Sequence, residues 1–297
     1  MNIRERILLT GHSGFTGRYI VKTAKFLGLD VVCLTDNGTS NGVPIDLMSY
    51  HELDEKIQEL SPTAIIHLAA ISHVQHQPAS DFYSINVGGT RNLIQSLLRM
   101  KRSPTSCIFA STANLYRTSD SNALREDSEI KPVNDYGLSK KCMEDMLAFW
   151  ENKLSVIITR PFNYTGIGQS EKFLIPKIVG HYRRRDPLLE LGNIKVRRDF
   201  SDVRFISEAY LRLAMIKDMS FTVNLCSGRA VSIDDILKIC EEITQFSPEI
   251  VSSSRYKREN EIMTLRGDPS FMKKILGFST RYSIRDTLAW MINEEVS

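Results

Sequence analysis

The chain has 297 residues, of which 42% are hydrophobic and 25% charged, and its formal net charge at pH 7 is +3. This composition is that of a globular protein, and the length allows one large α/β domain or two unequal lobes. Because 38 basic and 35 acidic residues are spread along the chain, no strong electrostatic field is expected, and nucleic acid is a poor candidate partner.

The five cysteines are expected to be free thiols in a reducing compartment. They are scattered without CxxC spacing, and several lie in apolar runs where a thiol packs as a small hydrophobic group. The N-terminal sequence has too short an apolar core for a signal peptide, and no later stretch approaches the length of a membrane span. These features predict a cytoplasmic protein without a membrane partner.

In the first half of the chain, apolar runs rich in branched residues alternate with amphipathic stretches. Strands are predicted at 7–9, 31–34, 64–68, 107–110 and 156–159, and helices at 15–27, 53–60, 90–100 and 140–150. Continuous apolar strands separated by helices favour a parallel sheet covered on both faces. The predicted fold class is therefore α/β, with a Rossmann-like, doubly wound parallel sheet.

After Pro161 this alternation loosens. Short helices are predicted at 207–216, 233–242 and 284–293, with loops near 166–168 and 186–187. We therefore expect a first domain over residues 1–162 and a smaller α/β lobe over residues 163–297 that is partly interleaved with it.

A glycine pattern, TGHSGFTG at residues 10–17, directly follows the first predicted strand and opens the first helix. Its glycines suit a tight turn, a close approach of the backbone to a pyrophosphate, and close packing of the helix on the strand. The helix N-terminus then offers N–H groups and a positive dipole end to the anion. The pattern indicates a dinucleotide site, and the alternative is a plain strand-to-helix turn.

The second predicted strand ends at Asp36, about 20 residues beyond Gly17. A carboxylate at this spacing can accept hydrogen bonds from the adenosine ribose hydroxyls and would repel a 2′-phosphate. Asp36 therefore favours NAD(H) over NADP(H). NADP(H) stays open because Arg18 could accept a phosphate, and residues 36–38 could simply form a turn.

Tyr136 and Lys140 lie four residues apart at the start of a predicted helix, and hence on one face of it. An ammonium favours the phenolate form of a neighbouring tyrosine, which can then exchange a proton nearer neutral pH. The YxxxK spacing is common. It gains weight here because it follows a Rossmann-like half and the segment FASTANLY at residues 109–116.

These segments resemble the extended short-chain dehydrogenase/reductase family, the NAD-dependent epimerases, dehydratases and reductases of nucleotide sugars. The resemblance covers nearly the whole chain. Its matches are TGHSGFTG, Asp46 in PIDLMS, HLAA at 67–70, NVGGT at 86–90, FASTANLY, YGLSK, RPFN at 160–163 and RRDFSDV at 197–203. The resemblance implies an NAD(P)-binding domain over residues 1–162 and a lobe over residues 163–297 that mainly binds a nucleotide sugar.

By this resemblance Tyr136 is the general acid/base, and Lys140 assists it and binds the nicotinamide ribose. Thr112, four residues before Tyr116, orients the reacting oxygen, with Ser111 as the neighbouring alternative. The implied cofactor-binding residues are Gly11, Ser13, Gly14, Phe15, Thr16, Gly17, Asp36, Asp46, Leu47, Leu68, Ala69, Ala70, Tyr136 and Lys140.

Other polar residues near these motifs are expected to have structural roles. His67 lies on a buried strand and is expected to be a satisfied core histidine, and Asn86 is expected to stabilise the sheet. His73 and His76 have a spacing that could bind a metal, but no third ligand is in view, so they are expected to be loop residues. No metal is expected.

Ala113 and Asn114 stand where similar dehydratases carry a carboxylate, which disfavours dehydration. Residues 160–203 resemble the branch of the family that reduces GDP-4-dehydro-6-deoxy-D-mannose, although Arg117, Tyr164 and Ile167 depart from its usual Gly, His and Pro. We therefore expect reduction at C4 of a GDP-4-keto-6-deoxyhexose. The alternatives are 4-epimerisation with retained NAD and a catalytically silent dinucleotide sensor or scaffold.

The resemblance also implies how the substrate is held. Arg198 would bind the diphosphate and Arg258 would be a second clamp, because guanidinium groups match phosphate oxygens; surface ion pairs are the alternative. The full set of implied substrate-binding residues is Ser72, Asn114, Asn163, Lys177, Asn193, Arg198 and Arg258. Family members commonly form homodimers through two helices, which are expected at 78–100 and 136–150 of this chain.

Overall fold

The computed structural model describes residues 5–35, 42–73, 76–117, 123–253 and 262–294. Two expected site residues, Asp36 and Arg258, lie outside these ranges. Packing divides the chain into two compact units, between which the chain crosses more than once. Unit 1 comprises Met1–Arg117, Glu126–Pro161 and Ser207–Val223; unit 2 comprises Thr118–Arg125, Phe162–Ile206 and Asn224–Ser297.

Strands and α-helices are numbered separately in chain order. The strands are β1 (Arg6–Thr10), β2 (Asp30–Thr35), β3 (Val43–Pro44), β4 (Ala64–His67), β5 (Ser106–Ala110), β6 (Val156–Pro161), β7 (Asn163–Thr165), β8 (Leu188–Leu191), β9 (Arg197–Asp202), β10 (Phe221–Leu225), β11 (Ala230–Ser232), β12 (Glu249–Ser252) and β13 (Thr264–Leu265). The α-helices are α1 (Phe15–Leu27), α2 (Tyr50–Leu60), α3 (Ser80–Tyr83), α4 (Thr90–Leu98), α5 (Asp135–Ala148), α6 (Leu174–Arg184), α7 (Val203–Ala214), α8 (Ile233–Thr244), α9 (Ser270–Leu276) and α10 (Ile284–Ile292).

Unit 1 is built on a sheet with the strand order β10-β6-β5-β4-β1-β2-β3. Neighbouring strands from β6 to β3 along this order pair in parallel, which confirms the predicted Rossmann-like sheet. The chain runs outward from β1 to β3 and then returns to β4 on the other side of β1. Such a switch opens a crevice at the carboxyl ends of the strands, where ligands bind in open α/β sheets.

The apolar spacing that predicts α1 also buries it. Gly17, Ile20 and Ala24 face the interior at intervals of three and four residues, and the helix ends at Gly28, whose φ is +69°. The predicted bounds of this helix are confirmed. A core cluster of unit 1 combines strand residues such as Leu8 and Ile65, which have no exposed surface, with residues of α2, α4 and α5.

Most other helices differ from their predicted bounds by a few residues, and two helical regions near the candidate site show how. The expected helix over 78–100 consists of α3, a π-helical turn at Ser84–Gly89, and α4. The apolar pattern predicted a helix from 140 and the YxxxK segment a start near Tyr136; the helix begins at Asp135, because the side chain of Asn134 caps it by accepting a hydrogen bond from the Gly137 N–H at 2.8 Å.

Unit 2 contains a small sheet around β9. Strand β9 pairs in parallel with β7 and β13 and antiparallel with β11. A separate parallel ribbon joins β8 and β12. Helices α6, α8 and α10 cover an apolar core that includes Ile178, Leu189 and Leu288. Helices α8 and α10 each begin with a serine–aspartate capping box, which fixes where they start.

All five cysteines are free, as predicted. Cys33, Cys107, Cys226 and Cys240 are buried, and Cys142 is partly exposed. Among the residues that the structure describes, no helix combines the length and apolar character needed to cross a membrane.

Candidate active site

The glycine turn between β1 and α1 is pressed against the end of β4. Gly11 has φ +73°, and a Cβ built on it would lie 2.7 Å from the Ala69 nitrogen. A Cβ on Gly17 would lie 2.3 Å from the Gly11 carbonyl oxygen. Helix α1 starts after Gly14 with no acidic residue in its first turn, so no carboxylate there opposes its positive dipole end. The backbone therefore fits a dinucleotide pyrophosphate.

A buried polar chain holds this turn to β4. The Ala69 N–H donates to Thr10 Oγ1 at 3.2 Å, and Thr10 Oγ1 lies 2.7 Å from His67 Nδ1. The other ring nitrogen of His67 lies 2.9 Å from Thr90 Oγ1. Burial lowers the pKa of His67 to about 3, with the charge of Lys140 acting in the same direction, so the ring is neutral. The expected role of His67 as a satisfied core histidine is confirmed.

Asn86 lies in the π-helical turn and connects two segments near the site. Its side-chain amide accepts from the Ile71 N–H at 2.8 Å and donates to the Ile71 carbonyl and to Ser139 Oγ. Ser139 in turn donates to the carbonyl of Tyr136 at 2.8 Å. The partners of Asn86 thus lie in a loop and a helix, rather than in the sheet that it was expected to stabilise.

The loop that carries the implied cofactor-binding residues Asp46 and Leu47 follows β3. Asp46 is exposed, and its carboxylate accepts from the Met48 N–H at 2.8 Å. The carbonyl of Leu47 accepts from the Asn92 amide of α4 at 2.9 Å. Helix α4 therefore anchors this loop, and the Asp46 side chain stabilises the turn.

Tyr136 and Lys140 lie on the first two turns of α5 and are 8% and 3% exposed. The Lys140 ammonium donates to the carbonyl of Ala110, the last residue of β5, at 2.7 Å. Because Thr112 follows Ala110 by two residues, this bond brings the YxxxK helix to the strand end that carries the candidate hydroxyl group. Three predicted catalytic residues thus belong to one buried assembly within unit 1.

Two opposing effects set the pKa of Lys140. Burial lowers the pKa of Lys140 to about 8, and the carboxylate of Glu144 opposes this effect. The ammonium is therefore present at neutral pH and loses its proton as the pH rises through about 8.

Thr112 and Ser111 are both buried and remain the two hydroxyl candidates. Thr112 Oγ1 accepts from the Asn114 N–H at 3.2 Å and so caps the 3₁₀ turn Ala113–Leu115. Within the described part of the chain this hydroxyl acts only as an acceptor, so its own proton can be donated to a substrate oxygen. Ser111 Oγ is buried without a hydrogen-bond partner among the described residues.

Glu144 and Arg160 are buried residues near the site to which sequence reasoning gave no role. Arg160 Nε and Nη2 donate to the two oxygens of Glu144 at 2.9 and 2.6 Å. Arg160 Nη1 donates to the hydroxyl of Tyr116 at 3.0 Å. The four-residue spacing from Lys140 to Glu144 places these two residues on one face of the helix, but no signal in the sequence indicates that Glu144 pairs with Arg160.

In unit 2 several predicted substrate residues surround β8 and β9. Lys177 Nζ donates to the carbonyl of Glu190 in β8 at 2.7 Å. Asn193 and Arg198 meet at Met263: the Asn193 amide lies 3.6 Å from its sulfur, and Arg198 Nη1 lies 3.4 Å from its carbonyl oxygen.

The remaining predicted substrate residues are more dispersed. Asn163 pairs with Phe200 across β7 and β9. Ser72 is exposed in the loop after β4 and Asn114 is partly exposed in the 3₁₀ turn, both in unit 1.

Asp199 is a further residue that sequence reasoning missed. It is fully buried and accepts from the N–H groups of Ser227 and Gly228, both at 2.9 Å, and of Gly267 at 3.3 Å. Burial raises its pKa, and these hydrogen bonds oppose that shift. Because Asp199 follows Arg198 directly, it anchors the strand on which the candidate diphosphate-binding arginine lies.

Three other residues that the sequence singled out, Ser13, Phe15 and His76, lie in loops or at the start of α1. Ser13 is exposed in the glycine turn, and the ring of Phe15 packs edge-on against Tyr19 at 5.6 Å between centroids. His76 pairs with Asp81 at 2.8 Å. The described part of the chain contains no group of three or more His, Cys, Asp or Glu residues that could hold a metal ion.

Comparisons with known proteins agree with this geometry. A model of the NAD dependent epimerase/dehydratase family matches residues 7–224. The chain is 31% identical to GDP-6-deoxy-D-talose 4-dehydrogenase from Aggregatibacter actinomycetemcomitans, over 96% of each chain. It is 29% identical to GDP-6-deoxy-D-mannose reductase from Pseudomonas aeruginosa, covering 98% of this chain and 97% of that protein. A structure of RMD from Pseudomonas aeruginosa complexed with NADPH superposes with TM-score 0.85 at 28% identity, covering 97% and 96% of the two chains. The chain therefore belongs to the NAD dependent epimerase/dehydratase family.

Proposed function

We propose that this protein is a nucleotide-sugar 4-ketoreductase, which reduces C4 of a GDP-4-keto-6-deoxyhexose and prefers NADH to NADPH. The observation that carries the proposal is the bond from the buried Lys140 ammonium to the Ala110 carbonyl. It places the Tyr136 helix at the strand end that bears Thr112. The names of two relatives support the reaction class, since one is a 4-dehydrogenase and the other a reductase, each of a GDP-6-deoxyhexose.

The cofactor would lie along the carboxyl ends of β1 and β4. The crowding at Gly11 and Gly17 fits a backbone that approaches a pyrophosphate closely. When bound, the reduced nicotinamide supplies a hydride to the ketone carbon. The preference for NADH rests on Asp36. Because RMD forms a complex with NADPH, NADPH is the alternative cofactor to be tested.

The chain's own residues handle the proton and the orientation of the ketone. Thr112 would donate a hydrogen bond to the ketone oxygen, and Tyr136 would give that oxygen its proton to complete the alcohol. The Lys140 ammonium would stabilise the phenolate that remains on Tyr136. The alternative is that Ser111, rather than Thr112, donates this hydrogen bond to the ketone oxygen.

Unit 2 would supply most of the nucleotide-sugar contacts. Arg198 would bind the diphosphate, aided by Lys177, because their cationic groups suit phosphate oxygens. Asn163 and Asn193 would contact the sugar or the first phosphate. Three further residues complete the proposed set: Ser72, Asn114 and Arg258.

We also infer a homodimer formed through the helical segment 78–100 and the helix at 136–150, which is α5. The support is the exposure of Leu138 and Phe149 on and just after α5, which are 45% and 74% exposed. Apolar side chains exposed on one helix are typical of an interaction face. Sedimentation of the purified protein tests this; a mass corresponding to one chain at all concentrations would contradict it.

The reaction is tested by incubating the protein with GDP-4-keto-6-deoxymannose and either NADH or NADPH. We expect oxidation of NADH in step with formation of a GDP-6-deoxyhexose, and little turnover by the Tyr136→Phe variant. The 4-epimerase alternative is tested with a GDP-hexose that carries a hydroxyl group at C4: inversion at C4 with retained NAD and no consumption of added cofactor would identify a 4-epimerase. Inactivity on a panel of keto sugars, with tight dinucleotide binding, would favour the sensor or scaffold.

A further inference from the structure

A buried ion pair lies next to the candidate catalytic residues, because Glu144 follows Lys140 by one turn of α5. The side chains of Glu144 and Arg160 are each 6% exposed and share two hydrogen bonds. A buried ion pair contributes little net stability, because removing two charges from water offsets most of their attraction. This pair therefore calls for a role other than stabilising the fold.

The guanidinium of Arg160 connects the two segments that carry the catalytic groups. Its Nη1 donates to the Tyr116 hydroxyl and to the Glu126 carbonyl at 3.0 and 2.9 Å. Tyr116 ends the 3₁₀ turn that Thr112 begins. Arg160 Nε and Nη2 donate to the carboxylate of Glu144 on α5, one helical turn beyond Lys140. One side chain thus joins the helix of Tyr136 and Lys140 to the turn of Thr112.

The same pair shapes the electrostatic surroundings of Lys140. Two titratable groups interact electrostatically with this ammonium, Glu144 on α5 and His67 on β4. Tyr136 lies one helical turn before Lys140 on α5, and Arg160 on β6 is bonded to Glu144. His67 is neutral, so it contributes no charge of its own at ordinary pH. Glu144 is the group that raises the pKa of Lys140 against the effect of burial.

We propose that the Glu144–Arg160 pair is a positioning element of the active site: Arg160 fixes Thr112 relative to α5, and the Glu144 carboxylate keeps the Lys140 ammonium charged. Its effect on turnover rests on the proposed function. Its effect on Lys140 does not, because that effect exists in the protein without substrate.

Replacing one member of the pair or the other is expected to shift the pKa of Lys140 in opposite directions. Glu144→Gln removes the negative charge and leaves Arg160, so Lys140 should lose its proton at lower pH, by about one pH unit. Arg160→Gln leaves the carboxylate alone, so Lys140 should hold its proton to higher pH. The double variant removes both charges and should show a smaller downward shift than Glu144→Gln, because Glu144 is the nearer group. A purely structural role would not produce shifts of opposite sign.

The experiment is an NMR titration of the lysine side chains in the protein without ligands, with Lys140 assigned from the Lys140→Met variant. Asp145→Asn is the matched control, because it removes a neighbouring, exposed carboxylate of α5 whose partner is Lys141. We expect the control to titrate as the wild type does. An unchanged Lys140 midpoint in folded Glu144→Gln would overturn the electrostatic part of the proposal.

If a single variant fails to fold because it leaves one buried charge unpaired, the neutral double variant decides in its place. A downward shift of Lys140 then supports the proposal, and an unchanged midpoint overturns it.

Tyr116→Phe tests the positioning part without changing any charge. It should lower kcat about tenfold by releasing the Thr112 turn, while the Lys140 titration and the affinity for NADH stay near their wild-type values. Unchanged kcat would overturn this part. Failure of the wild type to reduce any keto sugar would instead count against the proposed function and would leave the Lys140 titration as the test of the pair.

Discussion

The two units hold their candidate functional residues in different ways. In unit 1 Tyr136, Lys140 and Thr112 are almost fully buried, and Lys140 and Thr112 each form a hydrogen bond with the backbone. In unit 2 Lys177, Asn193 and Arg198 are partly exposed, and their side chains reach carbonyl oxygens or a sulfur atom. Under the proposed function, unit 1 would hold the groups that perform the chemistry in its buried core, whereas unit 2 would offer more exposed groups that contact the substrate.

The largest expected effect comes from removing the proton donor in unit 1. Tyr136→Phe should lower kcat by about 1,000-fold, within the range for loss of a general acid, and should leave the dissociation constant of NADH almost unchanged. Steady-state rates and a fluorescence titration of NADH measure the two quantities. Activity equal to that of the wild type would remove Tyr136 from the mechanism.

Crowding at the glycine turn predicts the next largest effect. Gly11→Ala should weaken NADH binding about 100-fold and cost about 1–3 kcal/mol of stability, because its Cβ would meet the Ala69 backbone at a positive φ. Gly28→Ala is the matched control, with φ +69° but nothing within 4 Å of an added Cβ. If both variants keep full affinity for NADH, the cofactor does not use this turn.

A substitution in unit 2 should act on substrate binding rather than on the chemical step. Arg198→Ala should raise KM for the GDP-sugar about tenfold with little change in kcat, since it removes a charge-assisted contact that ground state and transition state share. Arg197→Ala, on the neighbouring exposed arginine, is the control and should change KM much less. A fall in kcat without a rise in KM would contradict the proposal that Arg198 of unit 2 acts on substrate binding rather than on the chemical step.

The pH dependence should give the smallest effect and belongs to unit 1. The pKa of Lys140 is about 8 in the protein without ligands. The proposed reaction needs the ammonium form, so activity should be retained below this pH and lost above it. Between pH 7 and pH 8.5 the charged fraction falls about fourfold, and kcat/KM should follow it, because kcat/KM reports groups of the free enzyme. A profile of kcat/KM against pH measures this. A rise in kcat/KM over that interval would contradict the assigned role of Lys140.

The sequence predicted best those parts of the molecule that depend on local pattern. The bounds of α1 follow from its apolar spacing, and the parallel order of β1 to β6 follows from apolar strands separated by helices. The YxxxK spacing placed Tyr136 and Lys140 on one helical face. In each case the physical determinant is contained within one segment or its immediate neighbours.

Features that depend on tertiary packing were not accessible in this way. Glu144 and Arg160 come from a helix and a strand that meet only in the folded unit, so no periodicity indicates their pairing. Asp199 is similar, since its partners Ser227, Gly228 and Gly267 are distant in sequence. The predicted roles of Asp36 and Arg258 lie outside the described residues and stay predictions.

The most direct test of the proposed reaction is to follow the transferred hydrogen. The protein is incubated with a GDP-4-keto-6-deoxyhexose and NADH in which both hydrogens on the reactive carbon of the nicotinamide are replaced by deuterium, and the sugar product is examined by NMR. The proposed hydride transfer predicts deuterium at C4 of the product, in an amount equal to the NADH oxidised. A product without deuterium at C4 would contradict it.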